Sequence, residues 1–198
     1  MNDAKKKRVK TIIKYTWPFY LIAGILVAFG INFIFGISHR LPAYKTLTIF
    51  VSGEIIDHKK LEEEMLNKYK EKELKSFTSY TSDPSDPNYY TRLSVLGYNS
   101  SDILIIPTSK IDSDVSSFAI NIDENLANSY YQGYTFFNQN GENYGIKLNK
   151  EKIKDNMYLT NEDYYLFLNG RSETLGEYSK DKIKERDTSL LIAKQWGM

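Results

Sequence analysis

The longest hydrophobic stretch of the chain runs from Tyr15 to Ile37 and contains no ionised side chain. As a helix its 23 residues would span roughly 34 Å, enough to cross the ~30 Å hydrocarbon core of a bilayer. A helix satisfies its own backbone hydrogen bonds in lipid, so the pattern predicts one transmembrane helix. Pro18 falls in its expected first turn, and Trp17 and Tyr20 suit the membrane interface.

The charges that flank this stretch predict its orientation. Six basic residues and one acid precede Tyr15, whereas Arg40 is the only charged residue between the stretch and Lys45. The positive-inside rule places residues 1–14 in the cytoplasm as a basic tail and, after a linker over 38–44, places residues 45–198 outside the cell. A cleaved signal peptide would have a shorter apolar region and a small-x-small cleavage site. We therefore expect an uncleaved signal anchor in the cell membrane, in contact with the lipid bilayer.

Beyond the linker, short apolar runs alternate with segments of helical periodicity. Strands are predicted over 45–52, 74–81, 102–107 and 164–169, and helices over 58–72, 89–96, 123–131 and 181–196. The Asn140-Gly141 pair lies between two further apolar segments and predicts a hairpin. Strand, helix, strand, helix, strand is the order of a doubly wound domain, so we expect an α/β fold with a mostly parallel sheet and flanking helices.

Composition narrows the classes of partner. The region after residue 14 has 20 basic and 24 acidic residues, a balance that argues against nucleic-acid binding. The absence of cysteine excludes disulfides, thiolate catalysis and a lipid anchor on cysteine. Sixteen tyrosines, many beside Asn, Ser or Asp, fit a polar aromatic surface that binds sugars or peptides, and they equally fit half-buried positions on strands.

No pattern in the sequence indicates catalysis. The two histidines, His39 and His58, lie at the predicted membrane face and at a predicted helix start. Neither His-x-x-His nor Gly-x-Ser-x-Gly occurs, and acidic pairs such as Glu62 and Glu64 fall on the charged face of a helix. We expect a protein that is not an enzyme, with no catalytic residue, no metal site and no cofactor.

The order of the segments KTLTIFVSG, KSFTSYT, YYTRLSVLGYNSSDILIIPTSKI, NYGIKLN and DYYLFLNGRSETLG resembles the first lobe of extracellular solute-binding proteins of bacterial ABC importers, mainly the carbohydrate-type group. The resemblance covers roughly residues 46–191. Lys147 departs from it, because the family often has proline there. A full binding protein has a second lobe that closes over the solute. The resemblance therefore implies a shortened, single-lobed relative that lacks most of the second lobe.

Ligands of open α/β sheets lie beyond the carboxyl ends of the strands, and in the resembling family those loops line the solute cleft. The candidate ligand-binding residues at the ends of the first three strands are Ser52, Gly53, Glu54, Thr81, Ser82, Asp83, Thr108 and Ser109. Three aromatic residues are candidates to stack on a sugar ring: Tyr130, Tyr131 and Tyr134. The same residue types are also ordinary turn-formers, so a purely structural role is the alternative.

Two functions follow as expectations. The first is a membrane-anchored, extracellular, solute-binding-like module that takes a sugar or peptide and acts with a membrane-protein partner such as an ABC permease, as accessory or sensor. The second is a structural or assembly subunit of a cell-envelope or multi-subunit membrane complex. For the second, Gly24, Ala28 and Asn32 recur at four-residue intervals and would let another transmembrane helix pack closely.

Overall fold

The computed structural model describes residues 3–38, 41, 45–72, 74–172 and 183–197. The chain divides into two compact units, Met1–Leu41 and Pro42–Met198. The first unit holds a single helix, α1 (Asp3–Ser38), in which Lys14–Phe33 is long and apolar enough to cross a membrane and has no buried part. The sequence predicted Pro18 in the first turn of this helix. That prediction is wrong, because α1 begins at Asp3 and Pro18 lies inside the helix.

The second unit contains eight strands and four helices in the part of the chain that the structure describes. The strands are β1 (Thr46–Ser52), β2 (Glu54–Ile55), β3 (Ser76–Ser82), β4 (Ile103–Pro107), β5 (Phe136–Gln139), β6 (Glu142–Lys147), β7 (Met157–Tyr158) and β8 (Tyr164–Leu168). The helices are α2 (His58–Lys68), α3 (Tyr89–Arg92), α4 (Glu124–Tyr130) and α5 (Ile183–Trp196), and a π-helical segment, Leu93–Tyr98, continues α3.

Six of these strands form one mixed sheet in the order β3-β1-β4-β8-β6-β5, and β2 pairs with β7 separately. The first three predicted strands are parallel, since β1 pairs in parallel with both β3 and β4. The other three pairings of the sheet are antiparallel. An α/β fold with flanking helices is therefore confirmed, whereas a mostly parallel sheet is not.

One of the three antiparallel pairings, between β5 and β6, has a local cause in the hairpin. Asn140 and Gly141 adopt φ values of 54° and 87°, the left-handed pair that closes a two-residue turn. The turn joins β5 directly to β6, and so short a connection permits only antiparallel pairing, because a parallel crossover needs a dozen or more residues.

The sheet is covered on both faces by separate apolar clusters. Ile49 and Val51 of β1 pack in the cluster that contains Leu61 of α2, together with residues of α4 and α5. Phe50, between them, packs in the cluster that contains Leu93. Successive side chains of a strand point to opposite faces, so an uninterrupted apolar strand such as β1 needs cover on both sides.

Two local predictions need correction. The spacing of Tyr90, Leu93 and Leu96 in the sequence predicts one inward face for the 89–96 helix, but Tyr89 is buried and Tyr90 is exposed. The buried residues are Tyr89 in α3 and Leu93 and Gly97 in the π-helical segment, at intervals of four. Glycine often ends a helix, which predicts a helix end at Gly97. Gly97 instead lies inside the π-helical segment, where an added Cβ would come within 3.0 Å of the Leu104 side chain of β4.

Buried polar groups join the other end of the sheet. The Asn169 amide is fully buried after β8, and its Nδ2 donates to the carbonyls of Tyr98 and Ser101 at 3.0 and 2.6 Å. Asp102, just before β4, accepts hydrogen bonds from the Thr48 backbone N–H at 2.6 Å and from the Ser172 hydroxyl. These bonds fix β8 beside β4 and leave the carboxyl ends of the parallel strands as the open edge.

Candidate ligand-binding cleft

A cleft of about 520 Å³ lies at the carboxyl ends of β1 and β3. We call it the carboxyl-edge cleft, and its lining residues are Gly53, Glu54, Thr81, Ser82, Asp83, Pro84, Asp86, Arg92, Tyr158, Leu159 and Thr160. The two strands are parallel and in register, with Ser52 opposite Ser82, so both end at the same edge of the sheet. The Gly53 N–H donates to the Ser82 carbonyl at 3.0 Å and joins the two strand ends.

Five of the residues predicted from the sequence meet in this cleft. Gly53 and Glu54 follow β1, while Thr81, Ser82 and Asp83 close β3 and begin the next turn. The reason is topological, since the carboxyl ends of neighbouring parallel strands bring their following loops together.

Ser82 is the most unusual residue of the lining. It is 2% exposed, and its hydroxyl has no hydrogen-bond partner among the described residues. A buried hydroxyl without a partner costs about 1–3 kcal/mol, and most buried polar groups in proteins are satisfied. The cleft thus carries one hydrogen-bonding group that the fold itself does not use.

One wall of the cleft comes from the short β2–β7 pairing. Gly53 permits it, because a Cβ there would lie 2.7 Å from the Tyr158 carbonyl oxygen. Thr160 fixes the end of this wall: its hydroxyl shares a hydrogen bond with the Tyr164 hydroxyl at 2.9 Å, and its carbonyl accepts from Lys150 Nζ at 2.7 Å. Tyr158 is 67% exposed.

The opposite wall is the turn that follows β3. Asp83 accepts a hydrogen bond from the Ser85 N–H at 2.8 Å, and Asp86 accepts one from the Asn88 N–H at 2.8 Å. Such side-chain-to-backbone bonds are how aspartate holds a tight turn. Arg92 of α3 lies 3.7 Å from the Asp86 carboxylate, so α3 and the turn form one continuous surface.

The charge of the cleft is negative. Three carboxylates, of Glu54, Asp83 and Asp86, face a single guanidinium, of Arg92. Arg92 is close to Asp86. Glu54 pairs with Tyr158 through its backbone, and its carboxylate makes no ion pair with a described residue. The cleft therefore offers mainly hydrogen-bond acceptors and favours a neutral or cationic ligand over an anion.

Three other predicted residues have structural partners beside the cleft. The hydroxyls of Ser52 and Tyr89 share a buried hydrogen bond of 2.6 Å. Thr108 donates to the Asp163 carbonyl at 2.9 Å, and the Ser109 N–H donates to a Glu162 carboxylate oxygen at 3.0 Å. Hydrogen bonding from Ser109 lowers the pKa of Glu162, which keeps that carboxylate ionised. None of Ser52, Thr108 and Ser109 lines the cleft.

The three candidate stacking tyrosines belong to the packing around α5. Tyr131 is fully buried and donates to the Leu190 carbonyl at 3.2 Å, and Tyr134 donates to the Lys194 carbonyl at 2.8 Å. The Tyr130 ring lies 6.1 Å from the Tyr131 ring, centroid to centroid. Burial raises the pKa of Tyr131, so its hydroxyl is a neutral donor. These residues do not line the carboxyl-edge cleft.

The cleft also contains residues that the sequence did not single out: Pro84, Asp86, Arg92, Tyr158, Leu159 and Thr160. Asp86 had a detectable signal, because it belongs to the same SDPSDPN turn as Asp83. Tyr158 had none. It reaches the cleft only through a two-residue strand that is too short to show a period.

Comparisons of the chain with protein families, with curated proteins and with solved structures gave no match. The binding chemistry of the cleft is therefore inferred from the side chains that line it. They are hydroxyls, carboxylates, one guanidinium and one exposed phenol ring, on a rigid frame of strand ends and hydrogen-bonded turns.

Proposed function

We propose that this chain is a single-pass membrane protein whose C-terminal domain binds a small polar solute outside the cell, without catalysing a reaction. The observation that carries this proposal is the carboxyl-edge cleft, where polar residues from two parallel strand ends meet Ser82, whose buried hydroxyl has no partner in the part of the chain that the structure describes. A largely preformed cleft with a few converging polar groups is the usual form of a small-molecule site.

The proposed location depends on α1. Its Lys14–Phe33 stretch has the length and hydropathy to cross a membrane. The basic residues before that stretch favour a cytoplasmic N-terminus and an extracellular C-terminal domain. In this arrangement the domain is tethered to the bilayer and acts with a membrane-protein partner such as an ABC permease, as accessory or sensor.

The strand order supports the finer proposal of a shortened, periplasmic-binding-protein-like single lobe. Parallel strands in the order β3-β1-β4 place the loops after β1 and β3 at one edge, and β8 lies antiparallel beside β4. The first of these features follows the rule for ligand sites in open α/β sheets. The antiparallel strands β6 and β5 extend the sheet beyond β8. A second lobe would have to lie next to these two strands.

The test is purification of the full chain in mild detergent, followed by identification of co-purifying membrane proteins and thermal melting with panels of sugars, short peptides and amines. We expect a partner to co-purify and at least one solute to raise the melting temperature. Recovery of the chain alone, with no solute raising its melting temperature, would contradict the proposal.

A second candidate is an assembly subunit that pairs through α1. Gly24 and Ala28 are exposed on the same helix face as Asn32, and nothing lies within 4 Å of the position of a Gly24 Cβ. Substituting Gly24 and Ala28 by leucine would abolish a complex held by this face. Gly30→Leu, on another face with equally open space, is the matched control. Unchanged association in both variants would place the contact in the C-terminal domain.

A further inference from the structure

We propose that the solute is an organic cation and that the carboxyl-edge cleft binds it through a primary ammonium group. This inference rests on the proposed solute-binding function and names the chemical class of its ligand: an aliphatic amine or polyamine. Its basis is that three carboxylates, an exposed tyrosine (Tyr158) and a Ser82 hydroxyl with no partner among the described residues line one cleft.

The carboxylates favour a solute that carries a positive charge. Glu54 and Asp83 follow neighbouring strand ends, and neither is neutralised by a described cation. Arg92, the one cation of the lining, is already close to Asp86. An ammonium entering between Glu54 and Asp83 gains Coulomb attraction that water screens only partly inside a cleft, and an anionic solute meets repulsion.

The Ser82 hydroxyl would make the cleft selective for an ammonium group over a positively charged group that has no N–H donors. An alkylammonium has three N–H donors and no acceptor, so it needs three acceptors around it. Two are the carboxylates of Glu54 and Asp83, and the third is the hydroxyl oxygen of Ser82, a lining residue of the cleft. Binding would satisfy the hydroxyl that the fold leaves without a partner.

Tyr158 completes the recognition with its aromatic face. The same domain already places ammonium groups over tyrosine rings: Lys110 Nζ lies 5.4 Å from the Tyr90 centroid, and Lys150 Nζ lies 5.3 Å from the Tyr164 centroid. The exposed ring of Tyr158 has no such lysine among the described residues. A cation over an exposed ring gains about 0.5–1 kcal/mol in general, and more when water is excluded.

The test is isothermal titration of the full chain in detergent micelles with spermidine as the probe, beside maltotriose as a neutral polyol and Ca²⁺ as an inorganic cation. We expect spermidine to bind and its affinity to fall as salt is raised. Glu54→Gln and Asp83→Asn should each lower the affinity by about tenfold, as expected for a charge-assisted hydrogen bond. Glu63→Gln, on the exposed face of α2, is the matched control and should leave the affinity unchanged.

Ser82→Ala separates recognition from folding. Because the hydroxyl makes no hydrogen bond with a described residue, its removal should leave the melting temperature equal or higher while it weakens spermidine binding by a few-fold. Spermidine binding that is unaffected by Glu54→Gln, Asp83→Asn and Ser82→Ala would overturn the inference, since the ligand would then occupy another acidic surface.

The remaining outcomes also decide the question. Binding of maltotriose but not spermidine would overturn the ammonium assignment and leave the solute-binding function standing. Binding of Ca²⁺ in place of spermidine would overturn it as well, in favour of a metal ligand. No heat from any of the three probes, together with no solute raising the melting temperature, would remove both the inference and the proposed function.

Discussion

At the scale of single residues, Gly53 determines the shape of the cleft. It is the point where β1 turns away, and the backbone of Tyr158 approaches it more closely than any side chain would allow. The contact that a Cβ would make is with a backbone oxygen, which cannot move aside without displacing β7. One glycine thus lets a distant segment become a wall of the site.

Gly53→Ala should therefore lower the free energy of unfolding by about 1–3 kcal/mol, the usual cost of forcing atoms into a packed region. Denaturant unfolding of the full chain in detergent, followed by circular dichroism, measures it. Gly170→Ala is the control, because a Cβ there would meet its nearest neighbours at 3.5 Å, an ordinary contact. Equal stability of the two variants would show that the Tyr158 segment yields easily.

The buried tyrosines make stability depend on alkaline pH. Burial raises the pKa of Tyr69 to about 12, and burial, aided by Asp112, raises the pKa of Tyr98 to about 12. In the unfolded chain both ionise near pH 10. Their stabilising effect is complete below about pH 10 and is lost as pH rises from there through about 12, since the unfolded state then binds fewer protons.

We expect the free energy of unfolding to fall between about pH 10 and about pH 12, with part of the tyrosine absorbance change at 295 nm appearing only on unfolding. Tyr69→Phe should reduce the slope of this fall. A free energy that stays constant over the range would contradict the assigned burial.

At the scale of elements, one hydrogen bond joins the end of β1 to the start of α3. The Ser52 and Tyr89 hydroxyls are buried and share it at 2.6 Å. Ser52 ends β1, and the strand order reverses between β1 and β4, the place where a doubly wound sheet commonly takes its ligand. The carboxyl-edge cleft lies instead at the ends of β1 and β3.

Tyr89→Phe should cost about 1–3 kcal/mol of stability, because it leaves the Ser52 hydroxyl buried without a partner. Adding Ser52→Ala to the same chain should recover part of that loss, and the double-mutant cycle gives the coupling energy. Tyr90→Phe is the control, since Tyr90 is 62% exposed and its change should stay within about 0.5 kcal/mol. Strictly additive losses would contradict the coupling.

At the scale of the whole molecule, the proposed orientation can be tested directly because the chain has no cysteine. Asn161→Cys places one thiol on an exposed turn of the domain, and Thr11→Cys places one in the basic region before the apolar stretch. A membrane-impermeant maleimide added to intact cells should label Asn161→Cys. Thr11→Cys should react only after the cells are permeabilised. The reverse pattern would exclude an extracellular domain.

The sequence by itself determined the elements with strong local patterns. The unbroken apolar stretch in α1, the continuous apolar runs of β1 and β4, and the Asn140-Gly141 hairpin all appear where predicted. Asp57, a residue type that favours helix N-caps, caps α2, with its carboxylate accepting from the Lys59 and Lys60 N–H groups at 3.0 Å. Each of these elements depends on contacts between residues close in the chain or on transfer of one segment out of water. Periodicity and residue type therefore suffice to predict them.

Only the tertiary structure decided which polar residues at the strand ends remain available to a ligand. The residues after β1, β3 and β4 look alike in sequence, yet Ser52, Thr108 and Ser109 find partners in the fold whereas Ser82 does not. The direction of β8 and the arrival of Tyr158 at the cleft likewise depend on pairing between segments far apart in the chain. Such pairing is selected by the combined burial of many residues, and no single segment carries that information.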